Sequence, residues 1–417
     1  MTTGFRPPAV PLITVDPYFS IWSTADCLHE DATRHWTLEP HELVGLIRVD
    51  GRVLRFLGST NPGPPWLNMR QPSGMRQVEL DVAPTQTRYR FEDAGVALEV
   101  IFLTPLLPDD LDVLSRPFSY VHLAAASIDG APHECELYLE AGPSIACGDP
   151  QGLVVWERGE LAQGTPDLRI GTWEQNRLGR RGDLLTIDWG YLHLYGDASA
   201  AGHIASATEL RRAFAAGATD EVEDATWARH GVPRDEAPVL ALSWRLGSVR
   251  EQTERTAVVG YEDGVSIDYF GTPTPAYCFR DGASFGEIAG RAIGESAQIR
   301  ERCAAFDAAF TEQARRSGGE RYADLASLAY RQSVAAHKLI ADERGDAVFL
   351  SKECTSNGSI GTVDVSYPSI PLYLLVAPEL VAGMLRPVFR YAGSRGWKPE
   401  YAPHDVGTYP RATGQTY

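Results

Sequence analysis

The chain has 417 residues, 44% hydrophobic and 22% charged, with a formal net charge of −17. This length and composition fit a globular protein of two or three domains with a core of ordinary size. The negative charge argues against nucleic-acid backbones and anionic membranes as partners, because both call for clustered Lys and Arg. Lysine occurs only at 338, 352 and 398, and the other basic residues are Arg. The expected ligand is therefore a small molecule, neutral or locally paired with Arg.

The N-terminus, MTTGFRPPAVPLITVDPYF, lacks a basic stretch followed by an apolar one, so no signal peptide is expected. No apolar run approaches the roughly 20 residues of a membrane span. The six cysteines (27, 135, 147, 278, 303, 354) are scattered without a CxxC pair. That pattern predicts reduced thiols in a cytoplasmic protein, not a disulfide framework or a zinc site.

Residues 1–75 are rich in Pro, Gly and Trp with irregular periodicity, and read as a segment packing on a following domain. Over 76–283 short β-rich runs recur: 98–107, 120–130, 135–142, 184–196, 239–247 and 255–264. Gly, Asp and Pro bound them, and many alternate. They predict a large antiparallel β-sandwich, with a short helical insertion over 205–230. At 284 the texture becomes helical. Residues 284–318 read as a linker helix. A second helix is expected over 320–342, with an apolar stripe of Tyr322, Leu325, Ala329, Ala336 and Leu339. A third is expected over 378–393, kinked or interrupted at Pro387. The order is a β domain followed by an α domain. Three helices are few to enclose a core beside such a sandwich, so 319–417 is expected to be the first part of a truncated helical domain.

The stretch SKECTSNGSIGTVDVSYPSIP (351–371) is crowded with hydroxyls around one central acid, Asp364. Gly358 and Gly361 permit tight turns or close approach to a ligand. Asn357, Tyr367, Lys352 and Glu353 supply polar groups, and the stretch is expected to be a loop. In YAPHDVGTYP, His404 and Asp405 offer an acid/base pair, although adjacent side chains seldom point the same way, and an Asp capping the next turn is the plainer reading. Asp364 and Asp405 facing each other across a pocket would suit glycosidic hydrolysis. In the β region Asp188 and Trp189 sit in a strand-like run. A buried strand Asp needs a partner, either a nearby Arg or a pocket shared with the second domain. Cys354 reads as an inert thiol. No Ser-x-x-Lys, G-x-S-x-G, HExxH, P-loop or dinucleotide fingerprint occurs. No cofactor is called for, and the acids lack metal-ligand spacing.

Several segments together resemble the glutaminase A family of fungi and bacteria. They are PLITVDPYFSIWS, RHWT, TPLLPDDLDVLSRPFSY, EQNRLGRRGD with IDWGY, AAHKLIAD, FLSKECTSNGSIGTVDVSYPSIPLYLL and RPVFRYAGSRGWKPEYAPHDVGTYP. The resemblance runs over essentially the whole chain. It implies an N-terminal super-sandwich followed by an α/α toroid like those of six-hairpin glycosidases. It also implies hydrolysis of the glutamine side-chain amide. For that reaction the residues themselves offer Asp364 or Asp405 as the expected base and Tyr367 or His404 to orient the substrate. Asn357, Lys352, Glu353, Trp189 and Asp188 are the further expected substrate contacts. Two departures are Leu38-Glu39 where RHWT is usually followed by Gly, and the lack of a signal where fungal members are secreted. The alternatives are a six-hairpin glycoside hydrolase using two carboxylates, and a non-catalytic module binding a sugar or amino acid.

Overall fold

The computed structural model describes residues 5–60, 71–149, 152–161, 164–225 and 238–416. Two sheets dominate. The larger has eight antiparallel strands in the order Val154–Leu161, Thr165–Thr172, Tyr191–Gly196, Thr253–Glu262, Phe118–Ser127, Val96–Leu103, Gln86–Asp93 and Gln77–Val82. The other has six, in the order Ala201–Ser206, Pro238–Val249, His133–Ala141, Leu43–Val49, Arg52–Leu57 and Ser73–Gly74. Only its last pair is parallel. The main core lies between the sheets. Leu137, Leu139 and Leu242 come from one side, and Leu98, Val121 and Val259 from the other. The hairpin 43–57 is part of the six-stranded sheet, and with Val10–Thr14, Ser20–Ser23 and Ser73–Gly74 the irregular periodicity of the first 75 residues hides five strands among the described residues.

Seven α-helices are described: α1 (Leu111–Leu114), α2 (Ala207–Ala216), α3 (Phe285–Gly294), α4 (Ser296–Gly318), α5 (Glu320–Ala335), α6 (Val363–Val376) and α7 (Pro378–Ala392). The expected insertion helix is α2, whose Leu210 and Phe214 cover the outer face of the six-stranded sheet. The part of that segment beyond residue 225 lies outside the described residues. The expected linker helix is two helices. α3 starts with a Ser284–Glu287 capping box, and α3 and α4 seal the outer face of the eight-stranded sheet through Phe285, Ile288 and Ile299. Because both faces of the central strands are covered, Phe118–Ser127 is buried at eight successive positions, and its alternation is lost.

The expected helix 320–342 is corrected. It ends at Ala335, and His337–Ala341 is a strand paired antiparallel with Ala347–Ser351. All ten residues of this hairpin are buried. Leu339 and Phe349 pack toward the helices, while Ile340, Val348 and Leu350 join the sandwich core. The hairpin is thus a layer between the two regions, and its two apolar faces imitate a helix continuing. The expected stripe of α5 is also corrected. Tyr322 and Leu325 are exposed, and the buried side carries Tyr330, Arg331 and Val334. The loop expected over 351–371 ends at Thr362, where α6 begins. Pro368 and Pro371 lie inside α6, and Pro387 lies inside α7 without ending it.

Candidate functional site

The polar stretch after the hairpin folds back on the segment 404–411. The Ser359–Thr408 bridge joins them, and a Lys352–Ile360 bridge closes the polar stretch on itself. The N–H of Ile360 donates to Gly407 O, and that of Val406 to Ile360 O. Asn357 shapes the turn by accepting the Ser359 N–H at 2.8 Å. The β-region loop 174–189 packs on the same place. The Gly182 N–H donates to Tyr409 O, and Arg411 donates to Leu178 O. This edge of the sandwich therefore packs against the segments that flank α6 and α7.

His404 is the centre. Its Nδ1 lies 3.0 Å from Asp405 Oδ2, and its Nε2 lies 3.5 Å from Asp364 Oδ1. Asp405 is fully buried, and its Oδ1 accepts the Gly407 N–H at 2.9 Å. Asp405 closes the next turn and also faces its neighbour's ring. Asp364 sits in the first turn of α6 with its side chain largely exposed. Glu353, Asp364 and His404 each offer an atom within 4.8 Å of the others, so the fold assembles a donor set that the sequence spacing does not suggest. Glu353 Oε2 is buried with no hydrogen-bond partner among the described residues. The Asp405 hydrogen bond, then the charges of Asp364, Asp405 and Glu353, raise the His404 pKa above the ordinary histidine value. Asp364 and Asp405 do not face each other across an open pocket, because the imidazole is in contact with both.

The remaining expected residues separate. Tyr367 is on α6, three-quarters exposed. The Lys352 side chain is fully buried. Its ammonium lies 3.3 Å from Asp183 and 4.7 Å from the centre of the Trp36 ring. Burial lowers its pKa, against the pull of nearby acids. This corrects the expected substrate contact, because Lys352 ties three segments together from within. Trp189 is likewise core. Its Nε1 donates to Asp263 O and Val265 O, and Tyr18 packs edge-on against its ring at 5.5 Å. Asp188 precedes the strand that starts at Tyr191 and is not part of it. It lies 3.9 Å from Arg180, its Oδ1 is buried without a hydrogen-bond partner among the described residues, and burial raises its pKa. Burial pushes the Cys354 thiol up to about 11, in keeping with an inert role. Sequence reading misses Asp183, which also accepts the Thr355 N–H at 2.8 Å. It is one acid in a polar run, and nothing local singles it out.

Among the described residues no helix is long and apolar enough to cross a membrane. "Domain of unknown function (DUF5127)" matches residues 85–313, "Glutaminase A six helical-hairpin domain" matches 319–417, and "Domain of unknown function (DUF4964)" matches 1–62. The chain is 27% identical to Glutaminase A of Aspergillus oryzae over 425 residues, covering 98% of this chain and 60% of that protein. It is 23% identical to a probable glutaminase of Arthroderma benhamiae over 444 residues, covering 98% of this chain and 50% of that protein. The chain thus spans between half and two thirds of the length of these curated relatives. Among solved structures, a putative kojibiose phosphorylase from the human microbiome aligns with a TM-score of 0.39 at 10% identity, over 78% of this chain and 39% of that one. With the DUF5127 match over more than half its length and the six-hairpin match following it, the chain belongs to the glutaminase-A-like family.

Proposed function

We propose that the His404 cluster is the reaction centre of a hydrolase that cleaves the side-chain amide of glutamine to glutamate and ammonia. The observation that carries this reading is one imidazole held between a buried carboxylate and an exposed one. Asp405 is locked by its own turn and keeps the ring in place. Both neighbouring acids favour the imidazolium, so His404 is the proton donor, and an amide nitrogen must be protonated before it leaves. Asp364 is the carboxylate that water reaches. It takes a proton as the water oxygen bonds to the amide carbon. The C–N bond then breaks, and the nitrogen leaves as ammonia with a proton from His404 Nε2. Transfer from Asp364 back to His404 restores the starting state. Of the two acids that sequence offers as base, the burial of Asp405 favours Asp364. Kinship with Glutaminase A of Aspergillus oryzae supports the amide as the bond cleaved.

One observation favours a second reading. Glu353 and Asp364 offer carboxylate atoms within 4.8 Å of each other, near the roughly 5–5.5 Å carboxyl separation of retaining glycosidases. The test is ammonia release from L-glutamine beside reducing-sugar release from a glycoside panel, with Asp364→Asn and His404→Asn as controls. Ammonia release lost in both variants supports the amidase. Sugar release without ammonia transfers the site to the second reading, and neither product overturns both.

A further inference from the structure

Glu353 takes no part in the steps proposed for His404 and Asp364. It lies two residues beyond the strand Ala347–Ser351, and its N–H donates to Ser359 O, so the backbone of the polar stretch fixes its place. Its carboxylate has an atom within 4.8 Å of both Asp364 and His404. One oxygen, Oε2, is closed off from water and accepts no hydrogen bond among the described residues. A carboxylate oxygen in that state is costly until a donor reaches it. The neighbouring Lys352 ammonium does not serve it, because that group turns to Asp183 and the Trp36 ring. Among the described residues no Lys or Arg pairs with Asp364 either, whose ion-pair partner is His404. Three carboxylates, of Glu353, Asp364 and Asp405, therefore share one imidazole, and the site stays anionic even when the ring is charged.

We infer that Glu353 is the specificity-determining residue of this site and takes the α-ammonium of a free amino-acid substrate. An ammonium brings three donors and no acceptor, and its hydrogen bonds to a carboxylate are charge-assisted. In glutamine three carbons separate the amide carbon from the amine nitrogen. The spacing of the three groups keeps both ends of that span within reach of one cluster. The side chain of Asp364 is 75% exposed, and it is the part of the wall that can turn aside to admit the amine. The α-carboxylate points away from these acids, to solvent. A glutamine inside a peptide has an uncharged amide in place of the ammonium and loses the contact. The substrate class rests on the amidase reading above, whereas the amine contact can also be read from binding alone.

The experiment compares L-glutamine with glutaramate, which is glutamine without the α-amine, in the parent and in Glu353→Gln. Ammonia release gives kcat/KM for each pair, and calorimetry gives the binding of each compound. The parent is expected to favour glutamine by about 10–100-fold, the range of a hydrogen bond to a charged group, with most of the difference in KM. In Glu353→Gln that preference should collapse towards one. Equal kcat/KM for the two compounds in the parent overturns the inference and leaves the amidase standing. A preference that persists in Glu353→Gln also overturns it, by assigning the amine to another group. If the parent releases ammonia from neither compound, the amidase reading fails, and binding decides the amine contact. Tighter binding of glutamine that is lost in Glu353→Gln then supports it, and equal binding or none overturns it.

Discussion

Lys338 Nζ lies 2.6 Å from Asp16 Oδ2, and the same ammonium lies 3.0 Å from Asp263 Oδ2, with all three side chains more than nine-tenths buried. Lys338 stands on the hairpin that separates the helices from the sandwich, and both acids belong to the β region. Burial alone would lower the Lys338 pKa. The two carboxylates outweigh it and hold the ammonium above the ordinary lysine value. Removing one partner of a buried ion pair leaves uncompensated charge, at about 3–5 kcal/mol. Lys338→Met leaves two such carboxylates and is expected to lower unfolding stability by at least that amount in a urea titration. A loss under about 1 kcal/mol, the range of a surface pair, would show that the triad does not fasten the two regions.

His404 carries the second prediction. His404→Asn removes the proposed proton donor, and kcat/KM for ammonia release is expected to fall by roughly 10²–10⁴. Asp405→Asn keeps the ring but removes the largest cause of its raised pKa. In the parent the imidazolium persists above the ordinary histidine value of about 6.5, so activity is lost as pH rises through that raised value. In Asp405→Asn the alkaline limb of the pH profile should move to lower pH. A limb that stays in place in this variant assigns the titration to another group.

The strands around 98–107, 135–142 and 239–247 are legible in sequence because their β-rich runs are bounded by turn residues. Their pairing order is not legible, since strands such as Phe118–Ser127 are buried on both faces and carry no register mark. α6 is hidden for another reason. Pro368 and Pro371 read as breakers, yet the helix carries them on its exposed stripe. At the site, the residue types point to Asp364, His404 and Asp405. What sequence cannot give is the turn at Gly407, which swings Asp405 inward while its oxygen still meets the preceding imidazole. Lys352 and Trp189 mislead because a lysine and a tryptophan beside acids look the same in sequence whether they face ligand or core.

Gly358 supports the third prediction. Its φ is +74°, and a Cβ there would stand 2.4 Å from the carbonyl carbon of Gly182 and 2.6 Å from the Asp183 nitrogen. Gly358→Ala must push the β-region loop away and weaken the contacts of Asp183 with Lys352 and Thr355. Gly345 is the control, because its φ is +82° and nothing lies within 4 Å of the added carbon. Gly345→Ala is expected to cost only the left-handed backbone penalty of roughly 1–2 kcal/mol. Gly358→Ala should cost clearly more and should also lower activity at the His404 cluster. Equal losses at the two glycines would mean that the loop yields freely.

His133 supplies a pH test away from the site. Its Nδ1 lies 2.7 Å from Asp50 and its Nε2 3.1 Å from Asp129, so one ring joins two turns. The hydrogen bonds to Asp50 and then Asp129 raise its pKa in the folded state. A raised histidine stabilises the fold fully below its unfolded value of about 6.5, and the contribution disappears as pH rises through the folded value. Buried His35 and His122, both lowered to about 3 by burial, act in the opposite sense. The measurement is therefore a difference between the parent and His133→Gln, in melting temperature from about pH 5.5 to 8.5. The gap is expected to be widest at the acidic end and to narrow as pH rises. A gap constant across that range would mean that the ring contributes through neutral hydrogen bonds, with no imidazolium between the two acids.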